Sequence, residues 1–113
     1  MLARIYRLTH KADFDLVYRR GRAFFMGPLG IKVMPRIKQP SRFGFVVGTV
    51  VDKRAVVRNR IKRVLRDATR NLSSALVKSA DVVVLTRPGI EKFTTKQLRE
   101  TYQTLLKRAG LLR

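Results

Sequence analysis

The stretch RNRIKRVLRDATR, residues 58–70, sets cations at positions 58, 60, 62, 63, 66 and 70 against one carboxylate, Asp67. Arginine's planar guanidinium can meet two phosphate oxygens at once, so a segment this rich in Arg suits a polyanion. Cleavage chemistry would need other groups. A metal-dependent nuclease gathers carboxylates around its ions. Here the seven acids, Asp13, Asp15, Asp52, Asp67, Asp81, Glu91 and Glu100, are scattered along the chain. Asp13 and Asp15 are two apart in a helical stretch and do not share a face. Metal-free ribonucleolysis would draw on a histidine pair or a His–carboxylate set. His10 is the one histidine, beside a helix start where a capping or surface role suits it. There is no Ser/His/Asp set and no glycine-rich phosphate loop, and Gly44 and Gly48 read as places where a strand packs closely. No catalytic residue and no protein-held metal are expected.

The cations need a helix, and residues 55–74 read as one. Val57, Ile61, Val64, Leu65, Ala68 and Leu72 share a side, and Asn59, Arg63, Arg66 and Arg70 lie opposite. Arg58 and Lys62 fill one flank, Arg60 and Asp67 the other. An ordinary solvated face mixes signs, so that i,i+4 pairs support the helix. In this segment Arg54–Arg58, Arg58–Lys62, Lys62–Arg66 and Arg66–Arg70 are all like-charged. Together they cost about 1–2 kcal/mol at low salt. Bound phosphates would relieve that repulsion. Duplex DNA competes as the partner, since a basic helix fits its major groove, but no dimer seam or helix-turn-helix spacing is visible. Aromatic residues on strands and on a separate short helix suit stacking on unpaired nucleotides, which favours RNA.

The whole chain has 26 Lys+Arg against seven Asp+Glu, a net charge of +19. Such a field attracts polyanions, nucleic acid first and an anionic membrane surface a distant second. With 113 residues, 45% hydrophobic and 29% charged, the chain suits one domain over 1–113 and not a disordered tail. No apolar run approaches the ~20 residues of a bilayer span. The start, MLARIYRLTHK, lacks a signal-peptide pattern. The absence of cysteine excludes disulfides and thiol catalysis and fits a reducing cytoplasm.

The positioning elements follow from periodicity. Thr9 and Gly21 bracket a short helix with Phe14, Val17 and Tyr18 on one face. Residues 23–34 read as extended, broken near Met26-Gly27-Pro28, and Pro35 to Ser41 as a basic loop. RFGFVVGTVV, 42–51, is a strand with Phe43, Phe45 and Val47 on one side. ADVVVLT, 80–86, is a strand covered on both faces. Thr94 and Gln97 form a capping box, Phe93 staples onto Leu98, and Gly110 ends the last helix. The order is α-β-β-α-β-α, an α+β domain with a central sheet packed by helices.

These residues carry a resemblance. Ala55-Val56-Val57-Arg58-Asn59-Arg60-Ile61-Lys62-Arg63 resembles the Arg-Asn-Arg signature of the bacterial ribonuclease P protein subunit. Arg7-Leu8 before Phe14-x-x-Val17-Tyr18, then Arg42-Phe43-Gly44-Phe45, Ala80-Asp81-Val82-Val83-Val84 and Arg87-Pro88-Gly89, follow in the family's order over about 7–110. The resemblance implies a cytoplasmic protein, one per RNA, that joins a large catalytic RNA to remove the 5′ leader of precursor tRNA. The RNA would hold the Mg2+ ions and perform the hydrolysis; the protein would hold none alone. It also implies a left-handed crossover between parallel strands, against the usual right-handed rule.

Carried over residue by residue, Arg58, Asn59, Arg60, Lys62, Arg63 and Arg66 face the catalytic RNA or the leader's phosphates, with Arg70 on the same face. Phe14 and Tyr18 match the cleft between first helix and sheet that holds the leader, with Lys32 and Arg87 beside them. As aromatics at i,i+4, Phe14 and Tyr18 also suit a plain core role. Two positions depart from the family pattern. Thr49-Val50 stands where many relatives have a Lys pair, and Lys32 where some have an aromatic. Leader contacts are thus expected to be more electrostatic and less stacked. The rival readings are a structural RNA-binding protein of ribosomal type and an independent nuclease.

Overall fold

The computed structural model describes residues 7–113; the opening MLARIY of the signal-peptide reading lies outside the described residues. In chain order the elements are α1 (Lys11–Arg20), β1 (Arg22–Met26), β2 (Leu29–Pro35), β3 (Arg42–Val46), α2 (Ala55–Leu72), β4 (Ala80–Thr86) and α3 (Thr95–Arg108). The extended segment read as one broken stretch is two strands. Gly27, at φ +57, and Pro28 turn it back on itself, so that Met26 faces Leu29 and Arg22 faces Val33. A left-handed first turn residue is what a two-residue hairpin with this twist requires.

The sheet order is β1-β2-β4-β3, with β1/β2 and β2/β4 antiparallel and β3/β4 parallel. Parallel neighbours need a crossover, and α2 supplies it. Because side chains alternate along a strand, the sheet has two distinct faces. Ile31, Val33, Phe43, Val82 and Val84 face the large core beneath α2 and α3, while Val83 joins Leu8 and Val17 on the α1 side. β4 is therefore covered on both faces, as its unbroken apolar run requires.

The α2/α3 face is closed. Ile61, Leu65, Leu98, Tyr102 and Leu105 are fully buried. The Tyr102 hydroxyl donates to Thr69 Oγ1 at 2.7 Å, and Thr69 Oγ1 donates to the Leu65 carbonyl at 2.8 Å. Burial pushes the Tyr102 phenol well above its ordinary pKa. The capping box on α3 is present: the Gln97 N–H donates to Thr94 Oγ1 at 3.1 Å and the Thr94 N–H to Gln97 Oε1 at 2.8 Å. Phe93 packs against the same core as Leu98. At the other end Gly110 adopts φ +78, with its N–H donating to Lys107 O and that of Leu111 to Leu106 O, a Schellman stop.

Three boundaries differ from the sequence reading. α1 begins after His10, not Thr9, and His10 occupies the N-cap without a side-chain cap bond. Leu8 donates its N–H to Phe43 O at 2.8 Å and Arg7 bridges Phe43, which keeps this segment extended and delays the helix. β3 stops at Val46, since the Val51 N–H turns back to the Gly48 carbonyl. α2 stops at Leu72 and tightens into a 3-10 turn over Ser73–Ala75.

Candidate nucleic-acid interface

α2 turns the expected face to the core: Ile61, Val64, Leu65 and Ala68 are buried, and Val57 and Leu72 pack against them. Asn59, Arg63, Arg66 and Arg70 are exposed, and their side chains make no hydrogen bond or ion pair among the described residues. Lys62 is half-buried on the flank. Two of the expected cations are engaged inside the chain. Arg58 donates to the Asp52 and Lys53 carbonyls at 3.0 and 2.8 Å. Arg60 donates to the Phe93 carbonyl at 3.1 Å, tying α2 to the segment before α3.

The N-terminus of α2 has no acid in its first turn and no side-chain cap, although this positive end of the helix dipole favours one. Asp52 supplies the nearest negative charge. Its carboxylate accepts from the Arg54 backbone and guanidinium at 2.8–3.1 Å, and the side-chain hydrogen bond to Arg54 is the largest cause that lowers its pKa to about 2. Part of the like-charge strain at Arg54 and Arg58 is thus relieved within the protein. The strain at Lys62, Arg66 and Arg70 is not.

The opposite face of the sheet is only partly covered. α1 fully buries just Val17, and Phe14, Tyr18, Met34, Val46 and Leu85 remain half-buried around it. The outer edge of the Phe14 ring sits against the β3 backbone: a Cβ on Gly44 would fall 2.3 Å from it. The close packing read at Gly44 therefore has a definite partner. Lys32 sits with its ammonium 5.0 Å from the Tyr18 ring centroid and donates to the Tyr18 carbonyl at 3.0 Å. Burial raises the Tyr18 phenol pKa. Arg87 lies beyond β4 with its guanidinium carbon 4.0 Å from the Phe25 ring centroid. Phe14, Tyr18 and Lys32 thus lie together between α1 and the sheet, while Arg87 lies apart from them, beyond the end of β4 beside Phe25 and the hairpin turn.

α1 is pinned at one end of this face by an ion-pair cluster. Arg42 meets Asp81 through two guanidinium nitrogens at 2.9 and 2.8 Å and Asp13 of α1 at 3.2 Å. The hydrogen bond to Asp81 is the largest of the causes that raise the Arg42 pKa. The other end of α1 is held by the Lys32 ammonium on the Tyr18 carbonyl, and toward the far strand ends, away from Asp81, the same face of the sheet carries Val46, Leu85 and Phe25. The sequence reading missed these three. A phenylalanine directly across a hairpin from a glycine, Phe25 opposite Gly30, is the signal that could have found the last.

Among the described residues, no group of three or more His, Cys, Asp or Glu side chains could hold a metal ion. None of their helices is long and apolar enough to cross a membrane.

A small α+β domain with a cationic helix on one side of its sheet and an aromatic cleft on the other is what fold and site define. The Ribonuclease P family model matches residues 2–110, and the chain belongs to that family. It is 35% identical over 128 residues to the ribonuclease P protein component of Cyanothece sp., covering 99% of this chain and 98% of that one. The component from Microcystis aeruginosa is 37% identical over 111 residues, covering 94% and 92%. Among solved structures, the Staphylococcus aureus RNase P protein superposes with a TM-score of 0.88 at 26% identity, covering 96% of this chain and 98% of that one.

Proposed function

We propose that this chain is the protein subunit of a ribonuclease P ribonucleoprotein and supports 5′-end maturation of tRNA. The exposed side of α2, with Asn59, Arg63, Arg66 and Arg70, contacts the catalytic RNA, flanked by Lys62 and by the inward-tied Arg58 and Arg60. The cleft at Phe14, Tyr18 and Lys32 holds the leader of precursor tRNA, with Arg87 beyond the end of β4. One protein joins one RNA in the cytoplasm, and the RNA holds the Mg2+ ions that act in hydrolysis. The observation that carries the reading is the pairing of two unlike surfaces on one small domain of this family. One is a row of unpartnered arginines suited to phosphates. The other is a half-buried aromatic floor suited to unpaired bases.

Leader dependence tests it. In a complex reconstituted with a bacterial ribonuclease P RNA, precursor tRNA should bind more tightly than mature tRNA. Phe14→Ala or Tyr18→Ala should shrink that difference by about fivefold or more, the scale of one lost stacking contact. Equal affinity for the two tRNAs with the wild-type protein would leave a structural RNA-binding protein as the better reading.

A further inference from the structure

Phe25 and Arg87 come from opposite parts of the chain and meet over a glycine. Phe25 of β1 is the cross-strand partner of Gly30 in β2. A Cβ on Gly30 would fall 2.2 Å from two atoms of the Phe25 ring, so the ring lies on bare glycine backbone. On the ring rests the guanidinium of Arg87, 4.0 Å from the centroid. The Arg87 backbone is itself fixed, donating its N–H to the Pro28 carbonyl of the hairpin turn at 2.9 Å. Arg87 is exposed, and its side chain makes no hydrogen bond or ion pair among the described residues.

A surface arginine normally samples many rotamers and offers its charge in no set direction. Here the ring beneath it sets the guanidinium plane. Stacking uses one face of that plane, leaving the opposite face and the N–H fork uncommitted. Arginine planes stack on unpaired bases as aromatic rings do. The plate lies on the α1 side of the sheet, where Gly30 pairs with Leu85 and Leu85 with Val46, at the strand ends away from Asp81.

We propose that Gly30, Phe25 and Arg87 form a preset plate on which one unpaired base of a single RNA strand stacks. Arg87 makes the contact, and Phe25 is a positioning residue that holds its plane. The inference rests on the reading of the cleft as the leader site and adds to it a stacking station outside α1.

The test uses the full-length protein titrated with a short single-stranded RNA carrying 2-aminopurine at successive positions. With wild type, one position should be quenched on binding. Arg87→Lys keeps the charge and loses the plane, so affinity should fall about tenfold and the quench should vanish. The log–log salt slope should stay unchanged, because no phosphate contact has been removed. Phe25→Leu should give the same losses, Phe25→Tyr should restore wild-type behaviour, and combining Phe25→Leu with Arg87→Lys should be no worse than either alone. Wild-type affinity and quench in Arg87→Lys would overturn the plate in favour of a simple charge. A precursor-over-mature tRNA preference without quench at any position would overturn the plate and leave the leader cleft standing. Loss of that preference as well would overturn both.

Discussion

The two faces of the sheet are built from the same four strands and end in different states. Under α2 and α3 the side chains interlock, and Tyr102, Leu65 and Leu105 are fully enclosed. Under α1 a ten-residue helix covers one end, and the remaining apolar surface stays half open. The closed face supplies the stability, while the open face keeps aromatic surface within reach of a partner. The free cations of α2 lie on the outer side of the closed face, on a helix whose packing does not depend on them. Stability and binding are thus assigned to different residues, and substitutions can separate them.

The largest effect expected tests whether the open face has any anchor of its own. Asp81, 3% exposed, is held by Arg42 from two nitrogens and tied through it to Asp13 on α1. Asp81→Ala should cost about 2–3 kcal/mol, since it removes both charge-assisted bonds from Arg42 and the Arg36 contact at 3.6 Å and leaves Arg42 with Asp13 alone. Denaturant unfolding would show it, and a loss below about 1 kcal/mol would mean that this corner of the open face is held by packing and not by its ion pairs.

Next comes the outer side of α2. Arg63→Ala with Arg66→Ala should leave the melting temperature unchanged or slightly higher, because like-charge pairs are removed. Affinity for the catalytic RNA should fall, and the log–log salt slope should become shallower by about 1.4–1.8, two phosphate contacts' worth. A large loss of stability would erase the contrast between the two regions.

Within the closed face, Tyr102→Phe removes the hydroxyl that donates to Thr69. It should cost about 1 kcal/mol and leave RNA binding untouched, as paired melting and filter-binding measurements would show. The smallest effect lies at the start of α2. Asp52 is held at about pKa 2, below its ordinary value of about 3.9. The stabilisation from its ionised form is complete above the unfolded-state value and is lost as pH falls through the folded-state one. Asp52→Asn should flatten stability against pH between about 4 and 2, and an unchanged acid limb would show that other carboxylates set it.

Much of this was legible because the physics is local. The α2 periodicity, the Thr94–Gln97 box, the Gly110 stop and the doubly covered β4 all follow from neighbours in sequence. What escaped depends on contacts between distant residues. The helix start moved from Thr9 because Leu8 pairs with Phe43. The hairpin hid inside one extended stretch until Gly27-Pro28 turned it. Arg60 reaches a carbonyl 33 residues away, so its side chain could not be told from its unpartnered neighbours. Phe25 acquires its place only when Gly30 and Arg87 arrive from other strands.

The measurement that tests the central claim most directly is cleavage of 5′-labelled precursor tRNA at low magnesium. It has three arms: protein alone, a bacterial ribonuclease P RNA alone, and both together. The account predicts correct 5′-end maturation only in the combined arm, weakened by Arg63→Ala with Arg66→Ala. Binding of that RNA without rescue of cleavage, or cleavage by the protein alone, would contradict it.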